Sequence, residues 1–195
     1  MLTTTAPTAP LLGAGTPTDR MLTATLLVAP VLLLAADTLY AVQGWDDPVA
    51  GVLHVLGAVA YGLVVLRVAA WLPGGSGLAA TLVLTAVAGA VGNAAYGFDA
   101  IHQSLGDVSL VDQSGAAVLI KPLGLVFPLS LALVALGLHR LGHRPSAVLA
   151  LAAAVGWPVA HIANIGALAV VVNVLLVVAL GSVAWGARAI RRPER

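Results

Sequence analysis

The sequence predicts an all-α integral membrane protein, a single bundle of six transmembrane helices with the N- and C-termini in the cytoplasm. Of its 195 residues, 60% are hydrophobic and only 9% are charged, and the mean hydropathy is +1.02. Soluble domains average about 25% charged residues. A surplus of apolar side chains this large implies that lipid is the solvent. Apolar stretches also recur at crossing length between polar or glycine- and proline-rich breaks, which predicts a polytopic chain.

Composition excludes several classes of function. The formal net charge is +1, and no basic patch is interleaved with aromatic residues, so nothing indicates nucleic-acid binding. The chain has no cysteine, which excludes disulfides, thiolate metal sites, iron–sulfur clusters and haem attached through thiols. Phosphate-binding glycine loops and Gly-x-Ser-x-Gly nucleophile turns are absent from the sequence. Eight of the nine basic residues are arginine. Together with the abundance of Ala, Leu, Val and Gly, this usage is typical of GC-rich bacterial genomes, and we expect a multi-pass protein of the bacterial cell membrane.

The first 20 residues are the first element to assign. They are rich in Thr, Pro, Ala and Gly and lack periodicity, so residues 1–20 are predicted to be a disordered cytoplasmic tail. The first basic residue is Arg20, and the apolar run after it has the length of a span. A cleaved signal peptide would have its basic residues before a shorter apolar core. We therefore expect the first apolar segment to be retained as a span.

The remaining breaks divide the chain into six spans. Asp47 and Pro48 form an N-cap and first-turn pair that opens the second span, and the run Pro73–Gly77 precedes the third. The 43 residues from Ser146 to Arg188 exceed the roughly 20 that one crossing needs, so a turn near 164–166 divides them. The predicted spans are about 22–43, 49–71, 78–98, 116–138, 146–163 and 167–188. The third helix could continue beyond its span to Leu105. The only sizeable loop is predicted at 106–115, and a basic cytoplasmic tail at 189–195.

The arginines predict the orientation. With the N-terminus inside, every arginine lies at a cytoplasmic end, and the opposite ends carry Lys121 as their only base. The acidic residues at those opposite ends are Asp46, Asp47, Asp99, Asp107 and Asp112. Positive charge on the cytoplasmic side is the rule for bacterial spans, so both termini are predicted to be cytoplasmic.

Polar residues within the spans fall at one depth, in the outer leaflet. At ~1.5 Å per residue, Asp37 lies roughly 9 Å below the outer end of the first span, and Lys121 lies at a similar depth in the fourth. An intramembrane charge costs ~3 kcal/mol, which makes such residues functional candidates. The predicted ligand-binding residues are Asp37, Tyr40, His54, Asn93, Tyr96, Asp99, His102, Lys121, Trp157, His161 and Asn164. Asp37 and Lys121 are expected to pair, directly or through water. The alternatives are a lysine that extends to the surface and an aspartate that is protonated or purely structural.

Glycines and prolines suggest how the spans surround this layer. Gly89, Asn93 and Gly97 share one side of the third span and Gly92 lies on the adjoining side, so neighbouring helices could approach closely and the third span is expected to be central. Each intramembrane proline frees a carbonyl that protein or water must satisfy. These prolines are Pro30, Pro122, Pro128 and Pro158. Kinked helices around a wet cavity would fit the pattern.

No cofactor is predicted, although the histidines leave two alternatives open. His54, His102 and His161 together with Asp99 could supply imidazole and carboxylate ligands to zinc, iron or copper, but no spacing demands it. His54 and His161 could ligate haem only if the second and fifth spans face each other. A hydrogen-bonded packing or interface role is the simpler interpretation of these histidines.

Three functions remain compatible with the sequence. The first is binding or transport of a small solute, a proton or a lipophilic molecule that enters the polar layer from outside, although the inner half shows no polar path. The second is a membrane-embedded enzyme in which Asp37 or Asp99 acts with a histidine as acid and base on a lipid or isoprenoid. The third is an accessory or regulatory membrane subunit whose polar layer only fixes helix packing or contacts a partner, either a partner membrane subunit or a second copy of the chain. The expected partners are thus the lipid bilayer and either a small-molecule ligand or another membrane chain.

Overall fold

The computed structural model describes residues 15–189, with side chains to residue 187, and all regular secondary structure in this part of the chain is helical. Its six long helices are α1 Pro17–Gln43, α2 Pro48–Trp71, α3 Gly77–Ser104, α4 Ile120–Arg140, α5 Arg144–Ile162 and α6 Gly166–Ala189. Two 3-10 turns, Leu110–Asp112 and Gly115–Leu119, lie between α3 and α4. All six helices are long and apolar enough to cross a membrane. The predicted all-helical class and the number of spans are confirmed.

Helix α1 begins earlier than the sequence prediction placed it. Thr16 caps the helix by accepting a hydrogen bond from the backbone N–H of Asp19 at 3.2 Å, and Pro17 occupies the first turn, where its missing N–H costs nothing. Residues 17–20, predicted to belong to a disordered tail, are therefore helical. The rest of that predicted tail, residues 1–14, and the C-terminal residues 190–195 lie outside the described part of the chain.

The six helices form a closed ring. Each helix packs against the next in chain order, and α6 returns to pack against α1, while α2 and α4 also touch across the ring. The outer surface is apolar, with large side chains such as Leu84 (72% exposed) and Trp185 (76% exposed) facing away from the protein. Water would be a poor solvent for such a surface, whereas lipid tails match it. Because α3 is one member of this ring and the least buried of the six spans, the expectation that it is central is wrong.

The glycines of α3 do allow the close approach that the sequence predicted. A Cβ atom at Gly89 would lie 2.7 Å from the backbone of Phe127 in α4. Towards α2, a Cβ atom at Gly51 would lie 2.7 Å from the carbonyl oxygen of Gly97. Backbone atoms cannot move aside as a flexible side chain can, so these contacts require glycine. They draw α3 close to both of its neighbours.

The two ends of the ring differ in character. We call the end formed by residues 15–20, 71–77 and 140–144 the arginine end, and the end formed by 43–48, 104–120 and 162–166 the cavity end. At the arginine end, Arg67 Nη2 lies 2.6 Å from Asp19 Oδ1, and both side chains are under 5% exposed. The guanidinium also lies over the ring of Trp71, 4.4 Å from its centroid. A buried ion pair thus joins α1 to α2 on the side away from the predicted polar layer.

Candidate functional site

A cavity of about 500 Å³ opens inside the ring at the cavity end. Nine of the eleven residues that the sequence singled out line it: Tyr40, His54, Asn93, Tyr96, Asp99, Lys121, Trp157, His161 and Asn164. The other two, Asp37 and His102, lie outside the lining. The cavity extends from the buried side chains of His54 and Asn93 to exposed residues such as Lys121 and Asn164 at its mouth. The structure therefore brings most of the predicted layer into one space, and the role of these residues in binding stays a prediction.

Asp37 lies behind the cavity wall and is only 1% exposed. Its Oδ2 accepts a hydrogen bond from Asn173 Nδ2 at 2.5 Å and lies 3.4 Å from His161 Nε2. Asn173 belongs to α6 and His161 to α5, so the carboxylate of α1 holds together the point where the ring closes. His161, which contacts this carboxylate, is itself part of the cavity lining.

The expected pair of Asp37 and Lys121 is not formed. Lys121 Nζ lies 3.4 Å from Asp112 Oδ1, and both of these side chains are more than half exposed. Residues 115–119 form a 3-10 turn that leads into α4 at Ile120, and Lys121 lies in the first turn of this helix at the mouth of the cavity. The side chain of Lys121 is exposed, whereas Asp37 is buried.

Unpaired polar atoms gather around the inner part of the cavity. Among the described residues, eight buried side-chain nitrogen or oxygen atoms have no hydrogen-bond partner, and all but Arg67 Nε belong to this region. They are Asp37 Oδ1, both ring nitrogens of His54, both side-chain polar atoms of Asn93, His161 Nε2 and Asn173 Oδ1. Buried polar groups are almost always hydrogen-bonded to protein or water. Of these residues, His54, Asn93 and His161 line the cavity, whereas Asp37 and Asn173 do not. Unpaired atoms on the cavity wall can be satisfied by a polar molecule in the cavity, whether water or a solute.

Aromatic rings form the rest of the inner wall. Trp157 stacks on His161 with ring centroids 4.0 Å apart, and Trp45 meets the edge of His161 at 5.5 Å. Tyr40 in turn stacks on Trp45 at 5.2 Å and approaches His54 at 5.8 Å. The unpaired polar atoms thus face a space with flat apolar walls, as is typical of small-molecule sites.

Asp99 has a structural task that the sequence did not reveal. Its Oδ2 accepts hydrogen bonds from Ser109 Oγ at 2.7 Å and Gln103 Nε2 at 3.1 Å, and its Oδ1 accepts one from the backbone N–H of Leu110 at 2.5 Å. This carboxylate fastens the α3–α4 connection across the mouth of the cavity. Because the carboxylate of Asp99 already accepts three hydrogen bonds, Asp99 is a weaker candidate for a general acid or base.

His102 stands apart from the cavity. Its Nδ1 lies 3.5 Å from Asp107 Oδ2, and its side chain is 34% exposed. The four-member metal site considered from the sequence does not assemble, since among the described residues no three His, Asp or Glu side chains are placed to hold a metal ion. His54 and His161 do face each other, with ring centroids 6.3 Å apart. However, His161 turns one nitrogen to the carbonyl of Trp157 and the other to Asp37, which does not fit axial ligation of haem.

The lining also contains residues that the sequence analysis passed over. They are Trp45, Ala100, Gln103, Ser109, Val111, Asp112, Leu125 and Ile162. Three of them come from the connection after α3, which the sequence identified only as a loop. Asn173 falls in the outer third of the sixth predicted span, but nothing in the sequence joins it to Asp37, which is 136 positions away. Only the closure of the ring brings these two together.

Comparison with known proteins assigns no family: the chain matches no protein-family model, and neither a curated protein nor a solved structure gives a significant match.

Proposed function

We propose that this protein resides in the bacterial cell membrane with both termini cytoplasmic, and that its cavity binds a small solute or lipophilic molecule entering from the outer face. The observation that carries the proposal is the group of unpaired polar atoms on the inner cavity wall. The arginine distribution supports the orientation, because it places the cavity end outside.

The lining supports a ligand with two parts. His54 and Asn93 offer both donors and acceptors, so they suit a hydroxyl, amide or similar polar group. Tyr40, Trp45 and Trp157 offer flat apolar surfaces to the rest of the molecule. A volume of about 500 Å³ is within the range of small-molecule pockets.

Binding is better supported than conduction. Towards the arginine end, the interior of the ring is filled by apolar side chains, including Leu26, Val64 and Leu131, each 0% exposed. A conduit needs a continuous polar path. Passage through the ring would require the helices to rearrange.

The absence of cysteine permits a clean accessibility test. Ala100→Cys places a thiol on the cavity wall, and Phe98→Cys, two residues away on the same helix, places one on the lipid-facing side, since Phe98 is 59% exposed. A charged, membrane-impermeant thiol reagent added outside intact cells should modify Ala100→Cys at least ten times faster than Phe98→Cys. Gly74→Cys, at the arginine end, should react only after the cells are opened.

If neither Ala100→Cys nor Phe98→Cys reacts until the protein is denatured, the cavity is not accessible from outside. That result would favour an accessory subunit. Reaction of Gly74→Cys from outside would reverse the orientation. Once accessibility is established, compounds that slow modification of Ala100→Cys and leave Gly74→Cys unaffected identify the ligand.

A membrane-embedded enzyme is the second candidate, favoured by one contact. His161 and Asp37 form an imidazole–carboxylate pair at 3.4 Å beside the cavity, an arrangement that can accept and return a proton. The substrate would be a lipid or isoprenoid. Purified protein incubated with membrane lipids, compared with His161→Gln by mass spectrometry, would reveal a product that only the wild type makes.

A further inference from the structure

We propose that Asp37 and His161 together form a one-proton binding site, which exchanges its proton with the outer face through the cavity. The presence of the proton follows from the contacts of the two side chains alone. The route by which it exchanges rests on the proposed function, since it requires the cavity to be open to water.

The first step is to place the hydrogen on Nδ1 of His161. This nitrogen lies 3.0 Å from the carbonyl oxygen of Trp157. A carbonyl oxygen only accepts hydrogen bonds, so Nδ1 must carry a proton and donate it. In a neutral imidazole the other nitrogen, Nε2, then has a lone pair and no hydrogen.

The second step concerns what Nε2 faces. It lies 3.4 Å from Oδ2 of Asp37, which is within ion-pair distance although the contact does not meet the geometry of a hydrogen bond. If the imidazole were neutral and the carboxylate ionised, the lone pair of Nε2 would lie close to a negatively charged oxygen, which is repulsive. One additional proton removes the repulsion, either on Nε2 as an imidazolium or on Asp37 as a carboxylic acid. Asn173 Nδ2 also donates a hydrogen bond to Oδ2, at 2.5 Å.

The third step is the charge balance around Asp37. The polar side chains grouped with it are Tyr40 on its own helix, His54 on α2, Asn93 on α3, His161 on α5 and Asn173 on α6. None of them carries a fixed positive charge. On α4, Lys121 pairs with Asp112 at the mouth, and Arg67 pairs with Asp19 at the arginine end. The other arginines with described side chains, Arg20, Arg140 and Arg144, also lie at the arginine end. A carboxylate 1% exposed and without a cation is expensive, and the shared proton offsets its charge.

The fourth step is the route. His161 lines the cavity with 12% of its side chain exposed, whereas the side chain of Asp37 is 2% exposed and does not line the cavity. The ring of His54, beside Asn93, has its centroid 6.3 Å from that of His161. A water in the cavity can deliver a proton to His161, with His54 as an intermediate donor and acceptor. The reaction is a simple transfer: the water or buffer acid loses the proton that the pair gains, and no electron moves.

The experiment uses the full-length protein in lipid nanodiscs and observes His161 by nitrogen NMR. Ala160-His161 is the only Ala-His sequence in the chain. Labelling alanine at its carbonyl carbon and histidine uniformly with carbon-13 and nitrogen-15 identifies the backbone amide of His161 and links it to the ring nitrogens without a mutation. The expected spectrum shows both ring nitrogens protonated. In Asp37→Asn the amide can donate to Nε2, so this nitrogen should lose its proton and become the acceptor, while the matched variant Asp112→Asn should leave the spectrum unchanged.

Infrared spectra of the same samples locate the proton if it resides on the carboxyl group. A carboxylic-acid band present in the wild type, lost in Asp37→Asn and kept in Asp112→Asn would also support the shared proton. A singly protonated His161 together with an ionised Asp37 in the wild type would overturn the proposal. This outcome is observed in the wild-type spectra, so it does not depend on whether a variant folds. If the shared proton of Asp37 and His161 is present but Ala100→Cys is not modified from outside, the proton-binding site is supported and the solute-binding proposal is refuted.

Discussion

Replacement of Asp99 by alanine tests how the mouth of the cavity is built. The carboxylate accepts two hydrogen bonds from the α3–α4 connection, one from Ser109 Oγ and one from the N–H of Leu110, and a third from Gln103 within α3. Hydrogen bonds to charged groups contribute about 1.5–3 kcal/mol each. Ser109 and Leu110 can regain water once released, so we take the lower figure for each of the two bonds to the connection. Local opening of the connection should then become easier by about 3 kcal/mol.

This change is measurable by hydrogen exchange. Since 1.4 kcal/mol corresponds to a factor of ten, the amide of Leu110 should exchange about 150-fold faster in Asp99→Ala, while amides in the middle of α1 and α4 stay protected. The matched control is Asp112→Ala, because Asp112 lies in the same connection but its ion pair with Lys121 is exposed and long, at 3.4 Å. Exposed pairs contribute about 0–1 kcal/mol. If Asp99→Ala exchanges no faster than Asp112→Ala, the carboxylate does not hold the connection in place and the reasoning is refuted.

Two further predictions concern stability, measured as the free energy of unfolding in detergent micelles. Arg67→Met should destabilise the protein by about 3–5 kcal/mol, because it removes the cation of the buried ion pair with Asp19. Adding Asp19→Asn should restore much of this loss. If instead the losses of the two single variants add up in the double variant, the ion pair is not the cause. Gly51→Ala should cost about 1–3 kcal/mol because its Cβ would press on the carbonyl oxygen of Gly97. Gly62→Ala, where no atom lies within 4 Å, should be neutral or slightly stabilising, so an equal effect at both positions would contradict the packing argument.

The sequence was sufficient for the helices because their signals are local. Apolar length predicted the six spans, and the cap and first-turn residues Asp47 and Pro48 placed the start of α2 to within one residue of Pro48. Depth could also be counted along each helix, which is why most of the predicted polar layer lines one cavity. Depth along a helix is a property of the chain itself and does not depend on how the helices pack.

Partners were not predictable in the same way. The pairing of Asp37 with Lys121 rested on equal depth and opposite sign, but the lysine side chain is exposed at the mouth of the cavity, near Asp112. Asp37 contacts Asn173 of α6 and His161 of α5 instead, because closure of the ring brings these helices to α1. Arg67 likewise was assigned to the interface with water, whereas Asp19 draws it into the protein. Which helices become neighbours depends on packing between segments that are distant in the sequence. It therefore cannot be inferred from any single residue.

The closure of the ring by α6 has a consequence for how the protein is made. If the helices enter a membrane in chain order, α1 would do so first and α6 last, so Asp37 would lack Asn173 until the end of synthesis. His161, on α5, would also arrive late, and a carboxylate alone in lipid is costly until these partners appear. The nascent chain would then be least stable at the residue that later joins α1 to α5 and α6. A chain interrupted before Gly166 would keep a carboxylate without its α6 partner, a feature by which membrane quality control could distinguish unfinished from completed molecules.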